Sequence, residues 1–264
     1  MARPEWMRNS QKKDSCAGST QKPAVYTFQT RVRYSECSAG GQVRLSGILD
    51  YLQDTCTMQA EDLGVGVRYM REHQTAWVLN SWQADICRYP ELGEQITIRT
   101  WPYGFQGFFG YRNFQIEDSF GKTVVRAGSV WVFMDMQKKR PARIAPEVLA
   151  FYELCPKLEM EYMERKIPDF EAQPAGGPYK IPHYFIDTNE HVNNAKYILM
   201  AEELLPAGFQ TVRMRAEYRS SAVCGSLLYP QVMQQTDICA VRFDDEKGRP
   251  YVLAEFYART DTPA

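Results

Sequence analysis

Along this chain the spacing of hydrophobic positions changes period several times, and each change predicts an element. Between Tyr26 and Tyr34 apolar or aromatic residues alternate with polar ones (Tyr26, Phe28 and Val32 against Thr27, Gln29, Arg31 and Arg33), the pattern of a strand with one buried face. Past Gly40-Gly41 the period lengthens: Leu45, Ile48, Leu49, Leu52, Cys56 and Leu63 predict one helix of about five turns, ended by Gly64. Four stretches rich in β-branched and aromatic residues follow, Trp77 to Trp82, Gln95 to Trp101, Gly110 to Glu117 and Val124 to Met134, with turn residues between them. The predicted order is strand, long helix, antiparallel meander.

That order returns in the second half. His183 to Ile186 reads as a strand, Asn194 to Leu205 as a helix, and Thr211 onward as strands. Two local matches support a duplication: Asp118-Ser119-Phe120-Gly121-Lys122 resembles Asp245-Glu246-Lys247-Gly248-Arg249, and Ala84-Asp85 with Gly93 matches Ala216-Glu217 with Gly225. The expected division is a flexible tail over 1–24, a first domain over 25–136, a proline-punctuated interdomain linker over 137–180 and a second domain over 181–264.

Composition narrows the classes. Charge is nearly balanced, 31 Lys+Arg against 32 Asp+Glu, which argues against nucleic acid held by a whole-protein basic field. A hydrophobic share of 44% predicts a substantial core. There is no run of about 18 apolar residues and no apolar stretch near the start, so no membrane span or secretory signal is expected, and the cytoplasm is the expected compartment. The seven cysteines are scattered without a CxxC pair, which predicts small buried hydrophobes rather than disulfides or zinc ligands. No metal and no cofactor is expected.

Only three histidines occur. His73 lies in a polar stretch, expected on a solvated loop, and His183 enters a predicted strand, where packing is its expected duty. His191 differs. It sits in Ile186-Asp187-Thr188-Asn189-Glu190-His191-Val192-Asn193-Asn194-Ala195-Lys196-Tyr197, polar groups gathered where a strand gives way to a helix. The first turn of a helix presents unpaired N–H groups, and Asn193 or Asn194 is suited to cap it. Asp187, Asn189 and His191 are two residues apart, so in an extended segment they share one face. An acid, an amide and an imidazole together can activate water: His191 as general base, Asn189 as positioner or oxyanion donor, Asp187 as orienting carboxylate or nucleophile. A helix-capping turn with a satisfied histidine is the competing reading.

The run Asp187 to Tyr197 resembles the active-site motif of the acyl-acyl carrier protein (acyl-ACP) thioesterases, hot-dog-fold enzymes that end fatty acid chain elongation in plants and many bacteria. Val43 to Gln53 is similar to the opening helix of that family and Trp77-Val78-Leu79 to the strand after it, so the resemblance runs from about Tyr26 to Ala258. It implies an α+β protein of two tandem hot-dog domains, each an antiparallel sheet wrapped around a long helix. It also implies a catalytic role for Asp187, Asn189 and His191. The family usually carries a catalytic Glu, often followed by Cys, shortly after a segment like Glu217-Tyr218-Arg219. Here Ser221 stands in its place, with Cys224 three residues later. Either Glu217 or a water held by Ser221 substitutes, with Asn194 as a further helper, or turnover is weaker than in typical members. Cys224 lacks local positive charge and is expected to be a buried strand thiol.

The first half has no histidine before His73, so its matching turn, Glu36 to Gly41, cannot repeat the imidazole chemistry, and one active site per chain is expected. In the resembled family the first domain holds the acyl tail, which here implies an apolar lining from Leu49, Leu52, Met58, Trp77, Leu79 and Trp82. The implied partner is acyl carrier protein bearing a fatty acyl chain. That partner is acidic, and the densest basic cluster available to meet it is Lys138, Lys139, Arg140 and Arg143. Homodimerisation stays open. Hydrolysis of acyl-CoA and non-enzymatic acyl binding are the alternative functions.

Overall fold

The computed structural model describes residues 24–259, so the expected tail over 1–24 and Cys16 lie almost entirely outside the described residues. The first half runs β1 (Tyr26–Arg31), α1 (Leu45–Leu63), α2 (Val67–Glu72), β2 (Thr75–Ile86), β3 (Gln95–Gln106), β4 (Phe109–Asp118) and β5 (Thr123–Asp135). Short pieces follow, β6 (Arg140–Pro141), α3 (Pro146–Leu149), β7 (Gln173–Pro174) and β8 (Tyr179–Lys180). The second half is α4 (Asn194–Glu202), β9 (Thr211–Tyr218), β10 (Leu227–Gln234), β11 (Ile238–Asp244) and β12 (Pro250–Ala258).

All main strands join one antiparallel sheet in the order β1-β3-β4-β5-β2-β9-β12-β11-β10-β7. The halves meet where β2 pairs with β9, Ala84 opposite Met214 and Trp82 opposite Ala216. On either side of this seam the order is the same, β3-β4-β5-β2 against β10-β11-β12-β9, the arrangement a duplication predicts. The matched turns agree in detail. Asp118 accepts the N–H groups of Phe120 and Lys122, Asp245 those of Lys247 and Arg249, and Gly121 and Gly248 both take positive φ.

Each half wraps its helix. Leu45, Ile48, Leu49 and Leu52 recur on one face of α1 and are all within 1% of full burial, each worth about 2 kcal/mol of transfer free energy. Gly64 ends α1 in the left-handed conformation, accepting no Cβ penalty at φ 80°. The second helix is shorter than its pattern predicts. It stops at Glu202 rather than Leu205, because Pro206 bars helical geometry just downstream and the chain closes in turns. The two helices run antiparallel: Asn194 meets Gln53, Lys196 meets Asp50, and Glu202 reaches the first turn of α1.

Two predicted strands are corrected. Alternation carries the first strand to Tyr34, but the ladder ends at Arg31 and Tyr34–Glu36 form a 3-10 turn. His183–Phe185 likewise form a 3-10 turn and not a strand. Tyr34 and Tyr184 are 85% and 79% exposed, so aromatic residues here mark solvent-facing turns instead of a pleated surface. His183 is exposed and packs nothing away, while His73 is exposed as predicted, at the end of α2, with its Nδ1 at 2.8 Å from the Tyr69 carbonyl.

The segment after β5 is fastened to the sheet. Residues 136–141 close a hairpin onto β5, and beyond Tyr152 the chain crosses the outer face of the sheet. There it is held by buried polar side chains. Asn113 Oδ1 accepts from Leu158 N–H, Gln83 Oε1 from Met163 N–H, and Glu217 Oε2 from Ile167 N–H, each at 2.9 Å.

Candidate active site

The turn from Ile186 to Val192 is set by its own side chains and by β9. Ile186 and Val192 pair as a bridge, Asp187 N–H donates to the His191 carbonyl at 2.8 Å, and Asp187 Oδ1 accepts from Asn189 N–H at 2.8 Å. Glu190 takes φ 63°, a strained value for a residue with a Cβ, where the matching turn of the first half has Gly41 at φ 78°. The segment is therefore a tight turn and not the extended run from which a shared face is predicted. Asn193 Oδ1 caps α4 by accepting from Ala195 N–H at 2.9 Å, as one of the two predicted caps. Two buried tyrosines fix the junction: Tyr218 donates to the Asn194 carbonyl at 3.1 Å, and Tyr197 accepts from Ala222 N–H at 3.0 Å. Burial pushes both phenols well above their ordinary range, so they stay neutral. From the first half, Arg71 donates to the Thr188 carbonyl at 2.7 Å.

This turn opens onto a cavity of about 640 Å³ whose wall comes from both halves. Asp187, Asn189, His191, Asn194 and Ser221 face it from the second half. From the first come Val65, Val67, Met70, Trp77, Leu79, Phe105 and Arg112, together with Gln53, Asp54 and Cys56 of α1, and Tyr152 joins them from the segment after β5. Gly110 is required here: a Cβ on it would come within 2.9 Å of Trp77, whose ring covers the strand.

The residues named from the sequence separate. Asp187, Asn189 and His191 stand on one wall, and among the described residues the imidazole of His191 has no hydrogen-bond partner, which leaves it open to the cavity. Asn194 and Ser221 share that wall, Asn194 Nδ2 reaching Gln53 Oε1 at 3.4 Å. Glu217 does not. Its buried carboxylate faces the opposite side of the sheet, where it accepts from Ile167 N–H and from Arg219 at 3.3 Å, so its role there is to fasten the crossing chain. Trp77 and Leu79 line the cavity, but Leu49, Leu52 and Trp82 lie in the main core and Met58 is on an exposed face of α1. The ladder between β2 and β5 slips between Leu79 and Ser81, a bulge that inverts the alternation and brings Trp82 into the same core cluster as Leu79, where it packs on Phe114 away from the cavity wall.

Cys224 is also corrected: it is exposed on the turn before β10, outside the cavity wall. Of the six described cysteines only Cys37, Cys56 and Cys239 are buried; Cys87 is exposed and Cys155 half-buried. Cys56 does reach the cavity wall, but burial pushes its thiol up to about 11, which keeps it protonated. Lys138, Lys139, Arg140 and Arg143 are exposed on and beside the β5–β6 hairpin, Lys138 bridging Asp135 at 3.3 Å.

Two charged residues of the wall escape sequence reading. Asp54 lies one residue past the Gln53–Asn194 contact, and among the described residues its carboxylate has neither a hydrogen bond nor an ion pair. Burial first, then the negative charge of Asp50, holds it above the usual aspartate range. Arg112 lies deeper, on β4. A signal exists for Arg112, which breaks an apolar pattern at the inward position between Gly110 and Phe114; Asp54 lies off the buried stripe of α1, where a polar residue is ordinary.

Comparison with known proteins agrees with this architecture. The model of the acyl-ACP thioesterase N-terminal domain matches residues 23–152, and that of the acyl-ACP thioesterase C-terminal domain matches residues 171–246, leaving out most of the crossing segment. A chloroplastic acyl-[acyl-carrier-protein] hydrolase of Cuphea viscosissima is 25% identical over 257 residues, covering 90% of this chain and 56% of the relative. An oleoyl-acyl carrier protein thioesterase of Arabidopsis thaliana is 28% identical over 204 residues, covering 71% and 56%. The chain thus spans about half the length of the curated relatives it matches. In fold it superposes on an acyl-ACP thioesterase of Bacteroides thetaiotaomicron with a TM-score of 0.82 at 20% identity, covering 89% of this chain and 98% of that one. The 12:0-ACP thioesterase of Umbellularia californica gives 0.78 at 20% identity, with coverage of 90% and 98%. With the double hot-dog architecture in place and both family domains matched in order across most of its length, the chain belongs to the acyl-ACP thioesterase family.

Proposed function

We propose that this protein hydrolyses the thioester of fatty acyl chains carried on acyl carrier protein, releasing free fatty acid and ending chain elongation. The observation that carries the reading is the shared cavity: an apolar wall from the first half, suited to an acyl tail, continues into the turn that presents Asp187, Asn189 and His191. The first domain (25–136) then holds the tail and the second (181–264) performs the chemistry. His191 takes a proton from water as its oxygen attacks the thioester carbonyl carbon. Asn189 donates to the oxyanion that develops, next to the positive end of α4. The C–S bond then breaks, the sulfur leaves with the proton His191 returns, and the products are a fatty acid and the carrier thiol. Asp187 acts through the turn it holds closed, orienting Asn189 and His191. No cofactor enters this scheme.

Asp54 is the carboxylate that stands in for the Glu replaced by Ser221, reaching the site from the first half. Asp54→Asn should lower kcat at least about tenfold with little change in KM and should remove an acid limb of the pH profile that lies above the ordinary aspartate range. Ser221→Glu should then be neutral or harmful in the wild type but partly restore Asp54→Asn. An unchanged rate in Asp54→Asn rules out this role.

Mixing the protein with a long-chain acyl-ACP and following free thiol is the direct test. Preference for the same acyl group on coenzyme A favours an acyl-CoA thioesterase, and binding without thiol release favours an acyl-binding module. For the carrier surface, the β5–β6 hairpin rests through Ala142 and Ile144 on the cluster that includes Trp77, Phe105 and Tyr152, the same residues that wall the cavity. Reversing Lys138, Lys139 and Arg140 to Glu should raise KM for acyl-ACP about tenfold at low salt and less at high salt, with a small carrier-free thioester unaffected. Equal loss on both substrates would assign the hairpin to the fold instead.

A further inference from the structure

Arg112 is an unusual residue for the wall of an apolar cavity. Only 9% of it is exposed, yet no carboxylate pairs with it among the described residues. Its bonded nitrogen is Nη1, which donates to Gln59 Oε1 at 2.5 Å and Thr100 Oγ1 at 3.1 Å, both neutral, and its guanidinium carbon lies 5.7 Å from the centre of the Tyr152 ring. Nε and Nη2 carry three further N–H groups that have no protein partner among the described residues. These donors are not sealed in protein either, since among the described residues the one buried side-chain atom lacking a partner is Asp244 Oδ1; they open onto the cavity. A cation buried this far without a counter-charge is costly unless something else satisfies it.

Its depth is fixed by α1. Asn194, at the catalytic turn, meets α1 at Gln53, and Arg112 meets it at Gln59, six residues further along or about 9 Å of helix. An acyl chain whose carbonyl lies by His191 and whose tail runs along α1 therefore passes Trp77 and Phe105 and arrives at the guanidinium. An alkyl tail that reaches this point expels water from the free N–H groups and offers nothing in return. A carboxylate offers two oxygens in the geometry the guanidinium fork matches.

We propose that the cavity selects acyl chains whose far end carries a carboxylate, recognised by Arg112 with Gln59 and Tyr152 beside it. The inference rests on the hydrolase reading for the placement of the thioester, and it names the substrate class of that same site.

The test measures binding apart from turnover. Octanoyl and decanoyl thioesters of N-acetylcysteamine, each with its ω-carboxy counterpart, are titrated calorimetrically into His191→Ala protein. At least one ω-carboxy thioester should bind about tenfold tighter than the alkyl thioester of equal length, and the preference should fade as pH drops through the ordinary carboxyl range, about 4.3. Arg112→Met should reverse the preference, and Arg112→Lys, which keeps the charge but loses the fork, should retain part of it. If Arg112→Met fails to fold, the wild-type cavity ratio and Arg112→Lys still decide. Equal binding of both forms, tighter binding of every alkyl form, or binding of neither overturns the proposal. Thiol release by the unsubstituted protein is scored separately, so a failed hydrolase reading shows as absent turnover while the binding ratio still judges Arg112.

Discussion

Replacing His191 by alanine should abolish measurable thioester hydrolysis, a loss of about a thousandfold or more, within the range that general acid–base groups supply. The fold should survive. The imidazole has no hydrogen-bond partner among the described residues, and the turn that carries it is held by backbone bonds from Asp187 and Val192. The circular dichroism spectrum and melting temperature should therefore match the unsubstituted protein. Asn189→Ala should cost on the order of a hundredfold, since its amide is assigned to the oxyanion and a single such donor is worth about that much. Asp187→Ala should cost as much in rate but also lower stability, because Asp187 Oδ1 accepts the Asn189 N–H that closes the turn. Asp187→Asn keeps that acceptor and separates the two effects. Near-normal turnover in His191→Ala would dismiss this site, and with it the assignment of Asn189.

The sequence pattern displays the parts of this fold that repeat a single period. Nineteen residues of α1 keep a helical stripe, and β3, β4 and β5 are runs rich in β-branched and aromatic residues set between turn residues, so their existence and order can be read directly. What cannot be read is where a period is interrupted by geometry. The bulge between Leu79 and Ser81 brings Trp82, three positions on, into the same core cluster as Leu79 without any change in composition. The stripe of α1 that meets the core, Leu45, Ile48, Leu49 and Leu52, is not the stripe that meets the cavity, Gln53, Cys56, Thr57 and Ala60; both are plausible linings until the sheet's position is known. The crossing chain shows the same limit. Its prolines suggest a linker, and only the structure reveals that Asn113, Gln83 and Glu217, polar residues on strands, exist in part to receive its N–H groups.

The catalytic turn is legible for a different reason. Polar residues crowded ahead of a helix, with the rare histidine among them, form a local motif whose meaning does not depend on distant parts. Its reach does. The cavity is made by the first half, so Asp54 and Arg112 join the site across a contact that no local pattern encodes. The same holds for the joint between the helices, where Glu202 from the end of α4 meets the start of α1 some 150 residues away in the chain.

At that joint Glu202→Ala should destabilise the protein by about 3 kcal/mol. The first residues of α1 have no capping side chain of their own; instead Glu202 Oε1 accepts from Leu45 N–H at 2.9 Å and Oε2 from Ser46 N–H at 3.1 Å. Leu45 and Ser46 are 1% and 4% exposed, so water cannot replace the lost acceptor, and an unsatisfied buried donor costs about 1–3 kcal/mol. The melting temperature should fall by about 6–12 °C for a chain of this size. Glu202→Gln keeps one acceptor oxygen and should lose about half as much. A pH dependence separates charge from shape. Burial raises the Glu202 carboxyl above its ordinary range, outweighing the donors of Leu45 and Ser46. A raised carboxyl contributes stability that is fully present below its unfolded value, about 4.3, and is lost as pH rises through the folded value. The stability gap between the unsubstituted protein and Glu202→Gln should therefore narrow as pH rises through that window. Chemical denaturation at several pH values measures both. A Glu202→Ala protein within about 1 kcal/mol of the parent would show that α1 is capped by other means, and a gap that widens with rising pH would show that the carboxylate form is the one the fold prefers.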